Sequence, residues 1–307
     1  MGLLLLVGRL CLGLGTGCAG PARPPAFPSS LRPIDAVPAD LDLVVRVDMK
    51  RVREALGAQA ESRLVAQVPA STGRRDATRL LRAALQRADT VWLALRLGLP
   101  FEQMDNVLVL QGSFSGLDPR DSAPSDWGTP MDLGGAWRVY EALQTKTRAG
   151  PARLYARGEA LWVVVSGAEI DSFERCVHNP STPDKLEPEE RGIISLSSRL
   201  RPLAAELQER APAAARLLSK AVTLRASAEI VAQTVSAELA IEFRDAAQAS
   251  EAAQASKVLA ELFKSPGNQP HPTLAQLVAE STQIEAVAET LVIRLKIPAE
   301  AIGQLSR

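Results

Sequence analysis

The sequence predicts an α+β protein of two related halves, each a mostly antiparallel sheet with its helices on one face. Three observations lead there. Period-two alternation runs through 222–231 and again through 234–243. Val222, Leu224, Ala226, Ala228 and Ile230 share one side, then Val235, Ala237, Leu239, Ile241 and Phe243, as a hairpin buried on one face requires. A helical stripe of Ala252, Ala255, Leu259, Leu262 and Phe263 follows at once and can cover that face. Finally, the order strand, helices, two strands, helix, strand, helix occurs twice, with 43–47 answered by 193–196 and 159–165 by 289–295. That order is expected of a split-βαβ, ferredoxin-like unit.

Composition excludes several functions. A length of 307 residues with 46% hydrophobic and 23% charged content can build a substantial core. Lys+Arg and Asp+Glu both number 35, so the chain lacks the positive field that a nucleic-acid binder needs to displace counterions. Aromatic residues make up only 4%, too few for a base-stacking platform. Of Cys11, Cys18 and Cys176, two fall in the leader, which leaves the body one thiol and no intramolecular disulfide.

In chain order, residues 1–20 carry an apolar run at 3–7 and 10–14 broken by Arg9, shorter than a spanning helix needs. They read as an export signal. The glycines at 13, 15 and 17 lack the βαβ context of a dinucleotide loop. Leu14-Gly15-Thr16-Gly17-Cys18 resembles a bacterial lipobox, with Gly15 where that pattern has leucine. The resemblance implies that Cys18 is lipidated and becomes the mature N-terminus, an anchor in the membrane. Ala19 after the cysteine would, by the same resemblance, suit an outer membrane. Ordinary cleavage near Ala19 or Ala22, giving a soluble exported protein, is the competing reading. Residues 21–38 hold Pro21, Pro24, Pro25, Pro28, Pro33 and Pro38 and read as an extended tether.

The first half spans 39–177. Leu41, Leu43, Val45 and Val47 alternate along a strand, after which Asp48 can cap a helix carrying Met49, Val52 and Leu56 and ending at Gly57. A second helix runs from about 76 to 88 with Leu80, Leu81, Ala84 and Leu85 inward and Arg75, Arg79 and Arg82 outward, a solvated face. Strands follow at 90–97, 106–114, 152–156 and 160–165, then a short helix at 168–177. Residues 178–190 are charged and proline-containing and read as a linker. The second half, 191–307, repeats the plan: Ser197 stands in the capping place of Asp48, Leu200, Leu203 and Leu207 form a helix stripe, and 212–220 adds another helix. After the hairpin, Asp245 and Gln248 are placed as a capping box, and a last helix opens at Pro298.

Chemistry is sparse. His178 and His271 lie far apart beside prolines, and Cys176 shares a helix side with Ile170, Phe173 and Val177, as a core thiol does. Gly112-Ser113-Phe114-Ser115-Gly116 has phenylalanine where a nucleophile elbow needs serine. Asp118, Asp121, Asp126 and Asp132 match no calcium-loop spacing. These patterns point to a non-catalytic protein without metal or cofactor.

One feature invites a binding site. The second side of the first sheet is also apolar, through Val44, Trp92, Ala94, Val107, Val109, Trp162 and Val164, whereas the second half has Thr223, Arg225, Ser227, Glu238, Glu242, Arg294 and Lys296 there. Either that side is packed within the chain, or Trp92 and Trp162 floor a groove for an apolar ligand or partner strand, under a lid at 115–136 with Trp127 and the nearby Trp137. The segment "VPADLDLVVRVD" at 37–48 and the overall layout resemble the uncharacterised, alanine- and arginine-rich lipoproteins of delta-proteobacterial genomes. That resemblance implies an envelope location and an α+β body, and no catalytic residue. The expectation is thus a lipid-anchored envelope protein presenting a surface to a partner or ligand, or a carrier or sensor of an apolar molecule, with an enzyme that carries no recognisable motif as the third reading.

Overall fold

A computed structural model describes residues 26–66, 75–97, 106–143, 151–179, 184–200, 212–264 and 274–298. The leader with Cys18, the rest of the second-half helix stripe and the expected last helix lie outside the described residues. Twelve strands form one antiparallel sheet. They are β1 (Leu43–Asp48), β2 (Ala88–Leu95), β3 (Asn106–Gly112), β4 (Met131–Gly134), β5 (Trp137–Glu141), β6 (Ala152–Arg157), β7 (Leu161–Ser166), β8 (Ile194–Arg199), β9 (Ala221–Val231), β10 (Thr234–Phe243), β11 (Thr282–Val287) and β12 (Thr290–Pro298). Their order across the sheet is β11-β12-β10-β9-β8-β1-β2-β3-β7-β6-β5-β4.

The α+β class and the antiparallel sheet are as expected, but the two halves do not form separate sheets. β1 pairs antiparallel with β8 from Leu43↔Ser198 to Val47↔Ile194, so they share one sheet. Nor is the order that of a split βαβ unit. β1, β2 and β3 lie side by side in chain order as in a meander, and β3 then lies beside β7. Antiparallel neighbours permit this even across the helices of residues 49–87, whereas a split unit sets another strand between its first two. Strands β4, β5 and β11 were missed. β4 and β5 fall in a stretch of glycines and prolines, and β11 follows a helix without a break.

Seven helices accompany the sheet among the described residues: α1 (Met49–Ala66), α2 (Arg75–Arg87), α3 (Pro119–Ser122), α4 (Glu169–His178), α5 (Pro212–Ser219), α6 (Ala246–Lys264) and α7 (Leu274–Ser281). Asp48 caps α1, its Oδ1 accepting from Arg51 N at 3.0 Å, and the helix breaks at Gly57, whose φ of 75° suits glycine. Asp245 caps α6 in the same way at 2.9 Å, but Gln248 Nε2 donates to the Asp245 carboxylate and not to its backbone. Ser197 caps nothing: it lies within β8, buried, and its Oγ donates to Glu187 O at 3.2 Å. The stripe on α6 also differs, since Ala249, Ala252 and Ala253 are buried while Ala255 and Leu259 are exposed. None of the described helices is long and apolar enough to cross a membrane.

The proline-rich stretch is not a free tether over its described part. Phe27, Leu31, Ala36 and Val37 are buried in one cluster with Val44, Trp92, Val107, Val109, Trp137, Tyr155 and Phe173. Phe27 stacks on Tyr155 at 5.7 Å, and Pro28 O accepts from Trp137 Nε1 at 2.7 Å. Proline fixes an extended path here, and the few large apolar residues between prolines anchor it. Residues 184–190 likewise pack on this face, with Glu187 O and Glu189 O accepting from Ser197 and Ser195. Phe27→Ala should therefore cost about 3 kcal/mol in chemical denaturation. An unchanged midpoint would restore the tether.

Candidate functional site

The residues expected to floor a groove occupy opposite faces of the sheet. Directly opposed residues of antiparallel strands share a face. Trp92 opposes Val109, which opposes Val163, whereas Trp162 opposes Leu110 and Ala156. Trp92, Val107 and Val109 therefore lie under the N-terminal segment and α4, in the cluster just described. Trp162, Trp127 and partly buried Val164 belong to a second cluster beneath α1 and α2, with Phe114 4.9 Å from Trp162. The stretch 115–136 is no lid, for it contains α3 and β4, and Trp127 and Trp137 fall in different clusters. Packing within the chain accounts for the apolar second side.

Register reveals another apolar feature, on the helix-bearing face. Val164, Leu108, Leu93, Val45, Leu196, Ala226, Leu239, Ile293 and Ile284 oppose one another in turn, one from each of β7, β3, β2, β1, β8, β9, β10, β12 and β11. All of them are half-buried. At ~4.8 Å per strand this row spans about 38 Å. Beside it in the first half, Val91, Leu110 and Trp162 are closed over by Met49, Leu80, Ala84 and Leu85 of α1 and α2. In the second half Ile241 and Leu291 are closed over by Ala249, Ala252 and Ala253 of α6. Since β1 and β8 are antiparallel, these two closed patches lie on opposite sides of the row. The middle members Leu93, Val45, Leu196 and Ala226 belong to neither cluster. Next to them Ile194 is exposed.

This row was missed because single strands show only which residues alternate. The pattern Leu43, Val45, Val47 is visible in sequence, but continuity over nine strands needs the order and the register. Val164 alone among the sequence-chosen residues belongs to the row.

Charged groups elsewhere serve structure. Glu169, 1% exposed at the first turn of α4, takes both ends of the Arg96 guanidinium at 2.7 and 3.1 Å, and Arg96 also reaches Asp40 at 2.7 Å. That triad ties the end of the N-terminal segment to α4 and to the chain just past β2. Glu174 accepts from Tyr155 Oη at 2.6 Å and Arg153 at 2.7 Å, and burial first, then this carboxylate, pushes the phenol's pKa far up. Asp118 caps α3 and accepts from Tyr140 Oη at 3.2 Å. Cys176 is buried, donates to Asp35 O and Val37 O, and is pushed up by burial. A cleft of about 1410 Å³ beside α4 is floored by Phe27 and Leu133 and rimmed by Asp40, Asp132, Asp171 and Glu174. Among the described residues no three His, Cys, Asp or Glu side chains gather as metal ligands.

Comparison with solved structures finds the same fold in TP0453. Its crystal form III superposes with a TM-score of 0.52 at 12% identity, covering 91% of this chain and 98% of that one. Form I gives 0.51 at 12% over 90% and 97%, and form IV 0.52 at 12% over 91% and 97%. Scans of family models and of curated proteins give no match.

Lys185 is the least settled group in the segment that covers the sheet. Its Nζ is buried without a hydrogen-bond partner, and burial pushes its pKa below 10.5. The folded chain thus binds this proton less tightly than the unfolded chain. Its contribution to stability rises with pH from the lowered folded value up to 10.5. Lys185→Met should raise stability at about pH 7 by about 1–3 kcal/mol and flatten that alkaline rise. Urea titrations of both proteins at several pH values check it.

Proposed function

We propose that this chain is a non-catalytic cell-envelope protein, exported and anchored by a lipid on Cys18, whose working surface is the half-buried apolar row across the sheet. The row holds a long apolar chain of the acyl type. The observation that carries this reading is the continuity of nine apolar side chains, Val164 to Ile284, none fully buried. An ordinary core would bury its central residues, and an ordinary outer face would be polar, as it is at Thr223, Glu238 and Arg294 on the reverse side. A narrow apolar strip, open between the clusters at Leu93, Val45, Leu196 and Ala226 and one or two side chains wide, suits a linear hydrocarbon better than a compact ligand. A partner protein laying an apolar helix along the row is the competing use.

The same reading treats the halves as copies of one meander. Support comes from the matched order outward from the seam, β1-β2-β3-β7-β6 on one side and β8-β9-β10-β12-β11 on the other. The row crosses both copies at equivalent places, Leu93 matching Ala226 and Leu108 matching Leu239 about the central Val45↔Leu196 pair.

Two measurements test the proposal. Cys18→Ser should move the full-length protein from the membrane to the soluble fraction, and an unchanged distribution would defeat the anchor. Leu196→Gln should weaken binding of a long-chain fluorescent fatty acid on the order of tenfold, as expected for losing one leucine contact of about 1.5 kcal/mol. Equal binding by both proteins, or none by either, would remove the row as an acyl site.

A further inference from the structure

The two edges of the sheet are treated differently. β4 is four residues long, follows Pro130, and ends at Gly134 and Gly135 with φ of 80° and 58°. Its outer side is closed by the N-terminal segment: Phe27 N donates to Leu133 O at 3.4 Å, and a Cβ on Gly135 would meet Phe27 O at 2.4 Å. Among the described residues β11 has no such cover. It carries Thr282, Gln283, Ile284, Glu285, Ala286 and Val287, pairs with β12 without a bulge, and has no strand on its other side among the described residues. Every second residue there turns its N–H and C=O outward. Proline, inward charge, bulge and edge lysine, which usually blunt an edge, are all missing from it. The open edge is also flanked by apolar surface. Val287 is 54% exposed, and Val258 and Leu259 of α6, the helix over β11 and β12, are 59% and 51% exposed.

We propose that β11 is a dimerisation edge, pairing antiparallel with β11 of a second copy to make one sheet through two molecules. A second copy is chosen because the β4 edge is occupied, so head-to-tail growth through β11 and β4 is barred and a closed two-fold pair remains. The side chains select the register. A two-fold axis at Ile284 sets Gln283 opposite Glu285 of the other copy on the open face, amide to carboxylate, and Thr282 opposite Ala286 on the helix face. An axis at Glu285 would set two carboxylates face to face, which is unfavourable. With the axis at Ile284, the apolar rows of the two molecules, each ending at Ile284, run into one another.

The test uses the full chain carrying Cys18→Ser, so that lipid does not mask association. Light scattering behind size exclusion should show a dimer whose dissociation constant rises at least tenfold in Ala286→Lys, an exposed position set opposite Thr282 of the second copy, where an edge lysine opposes pairing. Circular dichroism of that variant should be unchanged. Ile284→Cys should cross-link two chains under mild oxidation, while Val222→Cys, exposed but far from the edge, should not. A monomer at every concentration would overturn the proposal. So would a dimer that is insensitive to Ala286→Lys and unlinked by Ile284→Cys, or a monomer that binds a peptide of the β11 sequence. Fatty-acid binding can fail without touching these outcomes, so the two proposals are separable.

Discussion

The pairing of β1 with β8 is the constraint on which the rest depends. It is short, from Leu43↔Ser198 to Val47↔Ile194, yet it turns two meanders into one sheet and removes an exposed edge from each. Contacts beyond the ladder hold it. Asp48 N donates to Ile193 O at 2.8 Å and Arg199 N to Asp42 O at 2.7 Å. The Arg199 guanidinium reaches Leu41 O and Ala39 O, each at 2.8 Å, so one side chain satisfies carbonyls of the segment leading into β1. Ser198 Oγ adds a bond to Asp42 O at 3.0 Å. Small hydroxyl residues suit β8 because its side chains must fit under the 184–190 segment on one face and against the row on the other.

The two faces of this sheet are closed by different means. One is closed over the first half by a largely irregular segment, with one 3-10 turn at Pro33–Ala36, and by α4. The segment from Phe27 to Leu41 supplies five buried apolar side chains, and α4 supplies Ile170, Phe173 and Val177. Its backbone polar groups are paired with side chains, as Pro28 O with Trp137 and Leu31 O with Arg157 show, so the irregular path is not costly. Beyond the seam the same face turns polar, and Arg294 there bridges Glu238 and Glu285 across three strands. The other face is closed by helices in two patches among the described residues.

Much of this was readable from residues alone, and the failures share a cause. Alternation located β1, β2, β3, β6, β7, β9, β10 and β12, because each presents one apolar side to a core. The Asp48 and Asp245 caps were legible because a cap is local. What failed was everything set by register. Trp92 and Trp162 read as neighbours on one side because counting along separate strands cannot say which parity faces which. The pairings Trp92↔Val109 and Leu110↔Trp162 separate them. The covering segment failed for a related reason: its prolines dominate its composition, while Phe27, Leu31 and Val37 contribute as isolated residues without a period. Ser197 misled because a hydroxyl before a leucine stripe is a good cap locally, and the pairing of β8 with both neighbours overrode it.

The apolar row follows from the seam itself. In each half the helices close over residues on one side of the middle of the strands: Val91, Leu110 and Trp162 in the first, Ile241 and Leu291 in the second. Were the halves joined by parallel strands, these patches would line up on the same side and leave one broad edge open. Antiparallel pairing of β1 and β8 instead rotates one half by a half-turn, so the patches fall diagonally. The strip between them holds Leu93, Val45, Leu196 and Ala226, which belong to neither cluster of the described residues. Antiparallel pairing at the seam thus sets a continuous apolar row between the two helical patches without any residue having to depart from ordinary core chemistry.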